Sequence, residues 1–262
     1  MIEYLFFICY NFNVGSNMKI PLLLSLIAGV STVIGSILIF FKYKKINRLI
    51  VISLSFSLAI MTLISVFDLL PDSSMKLINN YGVGYGLVLI ILTFLLGYLS
   101  IEKINNRIKT NNNSSLYKIG VLSMISLMFH NFPEGIAVFM GAYTNIHLGL
   151  KLCLAIMLHN IPEGIAISIP LYYSGVGKKK TCLYTLLSGL SEPVGALLAY
   201  VLLKNFINDI FLAFVLIFVA GLMISLSLND ILREVKNYRD NKHMIIGFFL
   251  ATVLFIISMK II

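Results

Sequence analysis

Apolar residues gather into long runs separated by short polar breaks. Eight runs reach or approach the roughly 20 residues that a helix needs to cross a bilayer core. They are Ile20–Phe41, Leu49–Leu70, Tyr81–Leu99, Leu116–Ala142, Leu148–Leu171, Cys182–Leu203, Ile210–Leu228 and Met244–Ile262. They are too long for barrel strands and lack strict alternation, so helices are expected. The pattern predicts an all-α polytopic membrane protein with eight transmembrane helices. Between the second and third runs, "PDSSMKLINNYGVGYG" is expected to form an outer loop, with Gly82, Gly84 and Gly86 turning the chain. The Asn-rich stretch 101–115 is expected to be a flexible inner loop, and 228–243 to extend the seventh run as an amphipathic helix. Residues 1–17 form an uncertain tail or a misassigned start ahead of Met18. Residues 18–262 are expected to form one domain.

Composition supports this division. The chain is 59% hydrophobic, against about 45–50% for soluble domains. The net charge of +9 would suit an acidic partner, but its distribution points elsewhere. Lys42, Lys44, Lys45, Arg48, Lys103, Arg107, Lys109, Lys118, Lys178, Lys179, Lys180, Arg233, Lys236, Arg239 and Lys242 fall on alternate loops or run ends of one side. They make 15 of the 20 basic residues. The other side holds Lys19, Lys76, Lys151, Lys204 and Lys260. The basic side should be cytoplasmic, which puts both termini outside and makes anionic lipid, not nucleic acid, the acidic partner. Cys9, Cys153 and Cys182 show neither a zinc-ribbon spacing nor a disulfide framework.

Against this apolar background one motif occurs twice. "HNFPEGIA" occupies 130–137 and "HNIPEGIA" occupies 159–166. Residues four apart share a helix face, so His130 points with Glu134 and His159 with Glu163. Asn131 and Asn160 lie three before those glutamates. Consecutive runs cross in opposite directions, so the two copies predict an inverted repeat about an axis in the membrane plane. His159 lies about 16 Å in from Leu148, and Glu192 about 15 Å in from Cys182, near the bilayer centre. An intramembrane carboxylate costs at least about 2.5–3.5 kcal/mol, which marks these residues as functional candidates. Imidazole, carboxylate and amide donors together suit a divalent transition metal.

Other runs add candidates. "SGLSEPVGALLAY" carries Glu192, with Ser188 on the same face; Glu192 suits a second metal position, a proton acceptor or a helix–helix hydrogen bond. Ser57, Met61, Ser65 and Asp68 line one face of the second run. Met61 suits either a thioether ligand or simple packing. Asp68 and Asp72, at the outer end, suit attraction of incoming cations or a solvated helix end. Ser25, Gly29, Thr32 and Ser36 make a small polar face in the first run, suited to close packing or sliding. His147 and His243 are expected in loops, without a role.

The paired motifs, "SEPVGA" and "SVFDLLPD" together resemble the ZIP (zinc–iron permease) family of divalent-metal transporters, most closely its bacterial branch. The likeness runs from Met18 onward. It implies uptake of zinc, and of iron, manganese, cobalt or cadmium, across the plasma (inner) membrane through a binuclear site. His130, Glu134, His159 and Glu163 would hold the first position. Asn131, Asn160 and Glu192 would hold the second, with Glu134 and Glu163 bridging and Met61 peripheral. The resemblance also implies a homodimer, in which runs one, four, five and six move against a scaffold. No prosthetic group is expected, the metal being cargo.

The competing class is an intramembrane di-metal enzyme. A metalloprotease helix would read H-E-x-x-H, whereas here Asn follows His and Pro interrupts. A di-iron oxidase would order its pairs Glu-x-x-His, the reverse of the order found. The charge pattern is testable. In a cysteine-free background, Asn79→Cys should react with an impermeant thiol reagent on intact cells and Asn112→Cys should not. Labelling of Asn112→Cys would overturn the orientation.

Overall fold

The computed structural model describes residues 18–107, 115–202 and 209–260. Among these described residues are eight helices long and apolar enough to span a membrane. They are α1 (Lys19–Phe40), α2 (Ile46–Tyr81), α3 (Val83–Ile104), α4 (Ser115–Tyr143), α5 (Ile146–Tyr173), α6 (Lys178–Val201), α7 (Ile210–Asn237) and α8 (Asn241–Met259). No strand occurs among the described residues.

The outer-loop expectation for 71–86 is corrected. The chain stays helical from Leu70 to Tyr81 and turns only at Gly82, whose φ is +78°. Pro71 is tolerated because it falls in the first turn of that helical segment, just after a π-helical turn at Ser65–Leu69. Gly84 lies inside α3, not in a turn. The stretch 101–115 is likewise partly helical, through Arg107, and 108–114 lies outside the described residues. The expected extension of the seventh run is present, as α7 continues to Asn237. His147 and His243 occupy first helical turns, where Asn145 and Asp240 accept hydrogen bonds from their backbone N–H groups. Residues 1–17, with Cys9, lie outside the described residues, as do Lys109, Asn112 and Lys204.

At the centre of the bundle α4 and α5 pack closely against each other. A very short connection forces these helices to run antiparallel. Helix α6 packs on α4, and the second half of α1 packs on α5. Outside them α3 packs on α7, and α8 packs on α2. Exchanging α4 with α5, α1 with α6, α2 with α7 and α3 with α8 therefore preserves these neighbours.

Contacts at glycine confirm the exchange at single-residue level. A Cβ at Gly135 would overlap the Glu192 carbonyl oxygen; one at Gly164, its counterpart, would overlap that of Thr32. Likewise Gly195 abuts the carbonyl of Phe132, and Gly35 abuts that of Ile161. Gly29 and Gly189 each abut the other's carbonyl, as residues across a two-fold axis must. The correspondence links 29 with 189, 32 with 192 and 35 with 195. Helix α1 tightens into 3-10 turns from Thr32 to Phe40, a length unusual for that geometry. That segment carries Gly35 against the α5 backbone.

These backbone contacts leave no room for a side chain. Gly164→Ala should lower the melting temperature of the detergent-purified protein, since overpacking costs typically about 1–3 kcal/mol. Gly84→Ala, where an added Cβ meets nothing within 4 Å, should not. Equal melting temperatures would contradict the packing.

Candidate metal centre

Both copies of the repeated motif lie within unbroken helices that contain Pro133 and Pro162. Proline has no N–H, so the carbonyls of Phe129 and Leu158 lose their intrahelical donors one turn before each proline. Helical spacing stacks His130 over Glu134 and His159 over Glu163. The antiparallel crossing then joins the stacks. Glu134 Oε1 lies 3.1 Å from His130 Nε2 and 2.8 Å from His159 Nε2. Glu163 Oε1 lies 3.4 Å from His130 Nε2. The two imidazole rings are 6.2 Å apart, centre to centre. Potential ligand atoms of His130, Glu134 and His159 all fall within 4.8 Å of one another.

The amides flank this cluster. Asn160 Nδ2 donates to Ala28 O at 2.9 Å and to Glu192 Oε1. Asn131 Nδ2 reaches Ser188 O, the counterpart of Ala28, at 3.4 Å. In that orientation its Oδ1 faces other acceptors. Turning the amide over satisfies both ends: the nitrogen then donates to Leu127 O at 2.9 Å and to Glu163 Oε2 at 3.1 Å. His130, Asn131, Asn160, Glu163 and Glu192 are fully buried, while Glu134 and His159 keep 8% and 6% exposure. Glu134 Oε2, Asn160 Oδ1 and Glu192 Oε2 are buried oxygens with no hydrogen-bond partner among the described residues. Buried acceptors of this kind need a hydrogen-bond donor or a cation. The donor set fits a divalent cation.

The structure therefore brings His130, Asn131, Glu134, His159, Asn160, Glu163 and Glu192 into one centre. Asp68 is half-buried on α2, within electrostatic reach of His159, Glu134, His130 and Asp72. Asp72 is exposed, one helical turn beyond it. Met61 is fully buried in the large apolar cluster, alongside Leu58 and Ile64.

One repeat escaped the reading of the sequence. Met61, Ser65, Asp68 and Asp72 on α2 share their spacing with Met223, Ser227, Asp230 and Glu234 on α7. Each helix carries a π-helical turn there, at Ser65–Leu69 and Leu226–Ile231. Met61 and Met223 are both fully buried. The common spacing Met-x3-Ser-x2-Asp-x3-acid was the available signal.

Comparison with known proteins identifies the family. Residues 103–259 match the family described as ZIP Zinc transporter. The protein named Zinc transporter ZupT from Clostridium perfringens (strain 13 / Type A) is 32% identical over 274 residues, covering 93% of this chain and 96% of its own length. Its namesake from Chlorobium chlorochromatii (strain CaD3) is 32% identical over 261 residues, covering 93% and 97%. The one from Shigella dysenteriae serotype 1 is 34% identical over 235 residues, covering 86% and 90%. The chain belongs to the ZIP family and is a multi-pass membrane transporter rather than an enzyme.

Proposed function

We propose that the chain carries divalent transition-metal cations, zinc foremost, across the plasma (inner) membrane into the cytoplasm through a binuclear intramembrane site. The observation that carries this reading is the convergence of His130, Glu134 and His159 ligand atoms within 4.8 Å at the crossing of two buried helices. Relatives named as zinc transporters support zinc. Imidazole suits zinc and its neighbours, and the oxygen donors extend tolerance to iron, manganese, cobalt and cadmium.

The first position takes His130, Glu134, His159 and Glu163. The second takes Asn131, Asn160 and Glu192, with Glu134 and Glu163 shared. A cation there favours the Asn131 orientation whose Oδ1 faces Glu163, because it lies between two oxygens that otherwise repel. Asp72 and Asp68 form the outer approach, and Met61 is a peripheral ligand. The small exposure of Glu134 and His159, both within electrostatic reach of Asp68, supports access from that direction. The basic loops set the orientation. Helices α1, α4, α5 and α6 form the unit that moves, and the remaining helices form the scaffold of a homodimer. Glycine-to-backbone contacts between α1, α4, α5 and α6 support their acting together.

Purified protein in sealed lipid vesicles tests transport directly. The wild type should accumulate zinc. His159→Ala and Glu163→Ala should each fall to the rate of protein-free vesicles while eluting as folded protein. Uptake with unchanged apparent affinity in both variants would refute the assignment.

A further inference from the structure

Glu192 reaches the centre from α6 through the inverted repeat, and the repeat assigns it a counterpart on α1. The glycine contacts fix the register. Residues 29, 32 and 35 stand against α6 and α5 as 189, 192 and 195 stand against α1 and α4. Position 192 therefore corresponds to position 32. Its surroundings correspond too. A Cβ at Gly29 would lie 3.2 Å from the Glu192 Cβ, and one at Gly189 would lie 3.0 Å from Thr32 Oγ1. Asn160 reaches the carbonyl of Ala28 as Asn131 reaches that of Ser188. The Thr32 side chain is fully buried, and its hydroxyl has no hydrogen-bond partner among the described residues. Other buried hydroxyls, such as that of Ser188, also lack a partner among the described residues, so it is the place of Thr32 opposite Glu192 that sets it apart. Ser31, the residue before, donates to Ala28 O at 2.6 Å.

We propose that the Thr32 hydroxyl is a further oxygen donor to the second cation position, facing Glu192 across the two-fold axis. This rests on the binuclear reading above. Glu134, Glu163, Glu192, Asn131, Asn160 and Thr32 then form a set of six oxygen-donating residues. Octahedral oxygen sets suit hard divalent ions such as manganese. A neutral donor at position 32 completes the set without adding a fourth carboxylate. A carboxylate there would hold the ion more tightly and slow its departure. Thr32 is thus a specificity-determining residue, setting affinity at the second position while leaving the first unchanged.

Calorimetric titration of the full chain in detergent with zinc alone, and with manganese alone, tests this. Wild type should bind in two steps. Thr32→Val keeps the shape and removes the oxygen; it should weaken the second step about tenfold, or about 1.4 kcal/mol, and leave the first unchanged. Thr32→Ser should restore the second step. Thr32→Asp should tighten it, most for manganese. Folded Thr32→Val with both steps as in wild type would overturn the assignment of Thr32. So would a second step left unaltered by Thr32→Asp, which decides the matter if Thr32→Val does not fold. Wild type that binds each ion in a single step, or not at all, would instead contradict the binuclear reading itself.

Discussion

A carboxylate placed in the hydrocarbon layer must find its compensation inside the protein, because lipid offers neither hydrogen bonds nor counter-ions. Three glutamates, Glu134, Glu163 and Glu192, stand in the interior of this bundle. The rest of the centre answers that demand. Imidazole nitrogens meet Glu134 from both sides, and Asn160 donates to Glu192. The compensation is incomplete, since several oxygens keep unpartnered lone pairs. A fully satisfied network would be structural glue. An unfinished one is suited to a cation that arrives and leaves.

The inverted repeat explains how so much polarity is gathered at one depth. A single surface, copied and turned over, supplies the same groups from α4 and from α5. Its neighbours α6 and α1 are copied as well, which brings glycine backbones into mutual contact at Gly29 and Gly189. Such contacts place no long side chains between the backbones. The 3-10 segment of α1 and the π-helical turns of α2 and α7 concentrate the departures from ideal helix in the same three elements. Irregular turns within long helices recur at functional sites.

Much of this was legible from the residues. The eight spans follow from the length of apolar runs alone. The pairing of His130 with Glu134 and of His159 with Glu163 follows from helix periodicity, and their meeting follows from two adjacent antiparallel spans. Other features had no such signal. Pro71-Asp72-Ser73-Ser74 reads as a turn, yet α2 continues through it to Tyr81, directly after a π-helical turn. The correspondence of α2 with α7 rests on four sparse positions among dissimilar apolar residues. That of Thr32 with Glu192 pairs unlike side chains and shows only in which backbones they touch. Glu134 lies between both imidazoles, whereas Glu163 approaches His130; this depends on a side-chain arrangement that spacing does not determine.

The central claim is that the cargo ion is held by imidazole and carboxylate within the membrane. X-ray absorption at the zinc edge, on protein loaded with zinc in detergent, reads the ligand shell directly. The account predicts a nitrogen and oxygen shell with the outer scattering of imidazole, and loss of part of that scattering in His130→Ala. A shell of thiolate sulfur, or of oxygen with no imidazole, would contradict it.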